Sequence, residues 1–186
     1  MKRLVIALVT SCVTAGTAVA ADKSEGLFAG LDVGQSRLEP RDDGGGYDVN
    51  DKRSTAWRAL AGYRFSPKWS AEVWYVDAGE AGISSDNPLV GELGTIEYKL
   101  FGFGAEWSPL MDGGERTFFP VVKAGLIQTS NHASTSLINY ERQHHTGFYF
   151  GAGGGWQFTQ MWGARAEVVT YDKDELVYSL GVRASF

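Results

Sequence analysis

The chain has 186 residues, with 17 Lys plus Arg against 22 Asp plus Glu, a formal net charge of -5 and one cysteine. The acidic balance argues against a nucleic-acid partner, and a lone Cys12 excludes disulfide and iron-sulfur chemistry within the chain. No stretch reaches the roughly 18 apolar residues that a membrane helix needs, so any bilayer crossing must be made by strands.

In chain order, Met1-Lys2-Arg3 supplies a positive n-region, Leu4 to Val9 an apolar stretch and Ala18-Val19-Ala20 a small-residue cleavage site. This reads as a secretory signal peptide over residues 1–20, cut after Ala20, ahead of a barrel domain over residues 21–186. Reading Cys12 as a lipoprotein processing site leaves too short an apolar region before it. Removing Lys2 and Arg3 leaves 15 cations against 22 acids, a net charge of -7.

Eight strands are predicted, at about 26–37, 55–66, 69–78, 95–107, 117–128, 146–158, 161–171 and 176–186, each near the roughly 9–11 residues that cross a bilayer as a tilted strand. On one side the connections are Ser66-Pro67-Lys68, residues 108–116 and Thr159-Gln160; on the other are the long stretches 38–54, 79–94 and 129–145, with 172–175 short. Short turns on one side and longer loops on the other suit an all-β, eight-stranded antiparallel transmembrane up-and-down barrel.

The faces follow from the period of two. In the last strand Leu176, Tyr178, Leu180, Val182, Ala184 and Phe186 fall on one side, and Val177, Ser179, Gly181, Arg183 and Ser185 on the other. An apolar outward face over a small, polar or charged inward face is inverted relative to a soluble sandwich, so lipid is the expected outer medium. The same alternation puts Ala71, Val73 and Tyr75 outward against Glu72 and Trp74. It also opposes Ala164, Ala166 and Val168 to Arg165 and Glu167, and Phe101, Phe103, Ala105 and Trp107 to Gly102, Gly104 and Glu106. In the sixth strand Phe148, Phe150, Ala152, Trp156 and Phe158 face out, while Tyr149, Gly151, Gly153, Gly155 and Gln157 face in.

Two constellations result. Glu72, Glu106, Lys123, Gln157, Arg165, Glu167 and Arg183 are expected to form a lumenal polar network, since charges in a narrow barrel must neutralise one another. Inward glycines make room for them. Phe65, Trp69, Trp107, Trp156, Phe158, Trp162 and Phe186 cluster at the short-turn ends as an aromatic girdle. A soluble barrel with the faces reversed is discounted because an eight-stranded lumen is too narrow for so many rings.

Gly62-Tyr63-Arg64-Phe65-Ser66-Pro67-Lys68-Trp69-Ser70-Ala71-Glu72 resembles the OmpA-like family of small outer-membrane barrels. So do Gly154-Gly155-Trp156-Gln157-Phe158, Trp162-Gly163-Ala164-Arg165-Ala166-Glu167 and the terminal Ser179 to Phe186. The resemblance implies a bacterial outer-membrane location, a lumenal salt-bridge network at Glu72, Lys123, Arg165 and Glu167, and recognition of the C-terminal Phe186 by the barrel-assembly machinery. It also implies contact with outer-membrane lipid and lipopolysaccharide. Gln157 stands where that family often has an acid.

The loops add weaker signals. His132-Ala133-Ser134 has a His-x-Ser spacing known from lipid A deacylases, but it lies in the expected loop 129–145, and the stretch Glu167 to Tyr171 has no histidine or serine. His132, His144 and His145 share that loop and are read as solvated rather than as a metal or pH site. Asp42, Asp43, Asp48 and Asp51 make an acidic loop that fails the EF-hand pattern. No catalytic, cofactor or metal residues are therefore assigned. The expected role is a monomeric, non-enzymatic barrel that supports the membrane and presents loops to an unidentified extracellular ligand. A narrow ion or small-solute channel is the alternative, with a lipid A-modifying enzyme behind it.

Overall fold

The structure, a computed structural model, describes residues 25–38, 47–51, 53–85, 92–109, 117–133, 144–171 and 175–186. Among these residues nine strand segments occur: β1 (Gly26–Leu38), β2 (Tyr47–Asp51), β3 (Arg53–Ser66), β4 (Trp69–Ser85), β5 (Glu92–Trp107), β6 (Thr117–Ala133), β7 (His144–Gln157), β8 (Trp162–Tyr171) and β9 (Glu175–Ser185). β2 pairs with the far half of β4 and continues the line of β3, so the nine segments make eight staves. Every pairing is antiparallel, and the ring closes through β1–β9 and β4–β5.

Several strands run past their expected ends. β4 extends to Ser85, β5 begins at Glu92, β6 reaches Ala133 and β7 begins at His144. The expected loops 38–54, 79–94 and 129–145 are correspondingly shorter. His132, placed in a loop by the sequence reading, pairs instead with Glu97 across β5–β6, while His144 and His145 pair with Ser130 and Thr129. Asp48 and Asp51 of the acidic loop lie in β2, and Asp42 and Asp43 fall outside the described residues, as does the expected signal segment. The polar composition of these stretches marks a change of surroundings, not an end of hydrogen bonding.

A bulge on β4 shows how that extension is built. The register shifts between Asp77 and Gly79, where Gly79 has φ +82°. The Gly79 amide donates to Asp77 Oδ1 at 3.1 Å, and the buried Ser36 hydroxyl donates to the Ala78 carbonyl at 2.6 Å. A Cβ at Gly79 would lie 2.0 Å from Ser54 Oγ in a backbone region that side chains avoid. Gly79→Ala is therefore expected to destabilise the barrel by about 1–3 kcal/mol, the usual range for local backbone strain. Urea unfolding in lipid vesicles measures it, and a change within error would contradict this account of the bulge.

The short turns are closed by side chains. Ser66 Oγ accepts the Trp69 amide at 3.0 Å, and Thr159 Oγ1 accepts the Trp162 amide at 2.9 Å. At the seam between the termini, the Phe186 amide donates to the Leu27 carbonyl at 2.8 Å.

Candidate functional site

The lumen is built from the register. Asp32 on β1 lies opposite Arg58 on β3, and Glu106 on β5 opposite Lys123 on β6; the remaining charges meet across the interior. Glu167 on β8 is the hub. It pairs with Arg58 through Oε2, with Lys123 at 2.8 Å, and with Arg165 and Arg183 at 3.5 Å each. Lys123 also reaches Glu72 at 3.2 Å, and Arg165 pairs with Glu106. Arg183 pairs with Asp32, whose Oδ2 lies 2.5 Å from Arg58.

All eight groups are buried, Lys123 to 1% exposure. Four carboxylates (Asp32, Glu72, Glu106, Glu167) pair with four cations (Arg58, Lys123, Arg165, Arg183), and Arg64, inward on β3, adds a further cation near Arg165 and Glu106. A lone ion in such surroundings carries a desolvation penalty of several kcal/mol that only multiple partners offset. Neutral groups extend the network: the Tyr149 hydroxyl donates to Glu72 Oε1 at 3.2 Å, and the Arg165 guanidinium sits 5.5 Å from the centre of the Phe119 ring.

Glycines in register create the space. A Cβ at Gly181 would sit 1.7 Å from Asp32 Oδ1, one at Gly30 2.5 Å from Arg183 Cδ, and one at Gly151 2.9 Å from Lys123 Cγ. Other inward glycines serve rings instead: Gly102 faces Trp74, Gly125 faces Tyr149 and Gly155 faces Phe119, all within 2.6 Å of a built Cβ.

Of the sequence-assigned lumen residues, the structure brings Glu72, Glu106, Lys123, Arg165, Glu167 and Arg183 into one ion-pair network. Gln157 goes elsewhere: its side-chain amide donates to the Thr159 and Gln160 carbonyls at 2.8 and 3.4 Å, tying down the β7–β8 turn. Asp32 and Arg58 were missed. Their signal was the same alternation, with Leu31 and Val33 outward around Asp32, and Ala59 and Ala61 outward beyond Arg58.

The expectation that the inward face is small, polar or charged holds for only part of the lumen. Toward the loops, Ala56, Val76, Leu100, Ile127, Val169 and Val177 fill it, and Trp74, Tyr149 and Tyr171 stack above the ions. Trp74 lies 5.0 Å from Tyr149, edge-on, and 5.1 Å from Tyr171. Phe28, Phe119 and Val121 are buried on the turn side. Contrary to the expectation from its width, the lumen holds several rings, because glycines across the barrel free the volume that they occupy.

Outside, the seven girdle residues Phe65, Trp69, Trp107, Trp156, Phe158, Trp162 and Phe186 lie exposed toward the short-turn end. Phe118, 71% exposed, stands with them, its ring lying over Gly154. Along β7 and just beyond, the outward series Phe148 to Phe158 spans ten residue steps, or about 25 Å at ~3.3 Å per residue and ~40° tilt, the height of a membrane-facing apolar band.

Residues 5–186 match the family described as outer membrane protein beta-barrel domain. The chain belongs to this family. This outer-membrane barrel is similar in fold to the outer membrane protein OprG of Pseudomonas aeruginosa, with a TM-score of 0.64 and 16% identity over 88% of this chain and 97% of that one. The N-terminal beta-barrel domain of Pseudomonas aeruginosa OprF gives 0.58 and 18% over 88% and 99%. Neisserial surface protein A gives 0.56 and 14% over 87% and 97%. No curated protein matches the sequence. The outward apolar band of this outer-membrane barrel therefore faces lipid, and the bacterial outer membrane is its location.

Proposed function

We propose that this barrel is a closed, non-enzymatic structural element of the outer membrane that carries surface loops for contact with extracellular partners. One observation supports the reading above others. The lumen has a buried, mutually paired ion network capped on the loop side by a packed apolar layer, which is the build of a plug. The lipid A deacylases that the sequence reading weighed carry their histidine and serine on the strand that corresponds to Glu167 to Tyr171, and here that stretch has neither. The chain is exported, cleaved after Ala20, assembled as a monomer and delivered by the barrel-assembly machinery through Phe186.

A strain lacking the chain is expected to admit a hydrophobic dye faster than its parent. Both the wild-type chain and one lacking residues 134–143 should restore the barrier, whereas adhesion to surfaces or host components should return only with the wild-type chain. Unchanged dye entry and unchanged adhesion in the deletion strain would refute the proposal. Determining the mature N-terminus tests the cleavage site, with Ala21 expected first.

A further inference from the structure

At the turn end of the lumen one cation stands outside the ion pairs. Arg64 on β3 faces inward at the level of its β4 partner Ser70, and Ser70 in turn lies opposite Glu106 on β5. Glu106 is already paired with Arg165, and the Ser70 hydroxyl donates to its Oε1 at 3.5 Å. Arg64 is half-buried beside the like charge of Arg165, and the carboxylate near it is the one that Arg165 holds. Among the described residues Arg64 has no hydrogen bond or ion pair of its own. Two residues beyond Glu106 on the same face, Ser108 is 3% exposed and is held by the bond from its amide to the Lys68 carbonyl at 2.8 Å. Its buried hydroxyl has no hydrogen-bond partner.

Beyond Glu106 on the turn side, the described lumen-facing side chains Phe28, Phe119, Gln157 and Ser185 bring no carboxylate. A further buried acid, Glu175, lies at the loop end of β9, across the apolar cap. We propose that Arg64 and Ser108 form a site for a small soluble oxyanion that enters the lumen from the turn side. The guanidinium fork supplies two parallel N–H groups and the serine hydroxyl a third donor, a set that suits the oxygens of a phosphate or carboxylate. Such a partner also offsets the cost of a half-buried cation beside Arg165. Direction selects a solute over a lipid headgroup. Arg64 points into the lumen with the barrel wall between it and the bilayer, and the ion network and apolar cap close the loop side.

The test uses the folded full barrel, labelled with nitrogen-15, in maltoside micelles, with inorganic phosphate as the probe. In wild type one arginine Nε–Hε resonance, absent from Arg64→Gln, is expected to shift saturably at millimolar phosphate and to stay in place in sodium chloride of equal ionic strength. Ser108→Ala should raise the half-saturating concentration about two- to tenfold, the worth of one hydrogen bond. Lys68→Gln, which removes an exposed charge from the neighbouring turn, should leave it unchanged. Heat-modifiable migration shows whether each variant is folded. Residues 110–116, with Asp112 and Glu115, lie outside the described residues. A resonance that responds to phosphate only in Asp112→Asn/Glu115→Gln would give the place to the chain's own carboxylates and overturn the proposal. So would an Arg64 resonance indifferent to phosphate, an equal response to chloride, the same shift produced by phosphatidylglycerol alone, or a folded Ser108→Ala that binds as wild type does.

Discussion

Glu167→Gln is expected to lower the unfolding free energy of the barrel by about 3–5 kcal/mol, the range for removing one partner from a buried ion network. The reason is the count of contacts. Glu167 touches Arg58, Lys123, Arg165 and Arg183, so its neutralisation leaves four buried cations against the three carboxylates Asp32, Glu72 and Glu106. Arg58 and Arg183 keep Asp32, Lys123 keeps Glu72 and Arg165 keeps Glu106, which prevents complete collapse. Glu72→Gln should cost less, about 1–3 kcal/mol, since it leaves Lys123 with Glu167 and allows the amide oxygen to accept from Tyr149. Urea unfolding in lipid vesicles, followed by tryptophan fluorescence, ranks the variants. An order with Glu72→Gln the more damaging would show that Glu167 is not the hub. Glu167→Gln/Lys123→Met restores the balance at three and three and should recover part of the loss.

Gly34→Val is expected to prevent closure of the ring and to abolish the faster-migrating unboiled band on a denaturing gel. Gly34 pairs with Ser179 across β1–β9, the seam that joins the ends of the chain. A Cβ there would lie 1.9 Å from the Tyr178 carbonyl oxygen and 2.8 Å from Ser179 Cα. Both are backbone atoms held by the sheet, so relief requires strand separation and not a change of rotamer. Gly163→Ala provides the contrast: its Cβ would meet the Gln157 side-chain oxygen at 2.8 Å, which moves only by loosening the amide's bonds to Thr159 and Gln160, and the Trp156 carbonyl oxygen at 3.2 Å, a gap that a few tenths of an ångström relieve. That variant should still close the ring, at a cost of about 1–3 kcal/mol, as for mild overpacking. A heat-modifiable Gly34→Val barrel of normal stability would mean that the β1–β9 seam is looser than described.

The alternation of faces carried most of the fold. Leu176 to Phe186 or Phe148 to Phe158 cannot hide their rings in the lumen while Arg183 and Tyr149 face out, and this inversion alone selects a membrane barrel. Strand ends above the lipid were harder to read. Beyond Tyr75, Phe101 and Leu126 the outward residues become polar, as Asp77, Lys99 and Gln128, although pairing continues to Ser85, Glu92 and Ala133. Polarity there reports water on the outside, and resembles a loop signal. The apolar plug was illegible for a related reason. Val76, Leu100, Ile127, Val169 and Val177 come from five strands, and their meeting depends on registers that no local pattern contains. Arg58 was overlooked because its strand also sends Ala56 and Leu60 inward, which blurs the contrast between faces.

The central claim is that this outer-membrane barrel is plugged by its own ion network and apolar cap. Single-channel recording of the purified, folded barrel in a planar lipid bilayer tests it most directly. The wild-type protein is expected to insert without unitary current steps, and Trp74→Ala, which removes the ring over the ions, to introduce small ones. Steady wild-type steps that disappear in Glu167→Gln would contradict the plug and make the charge network a conducting path.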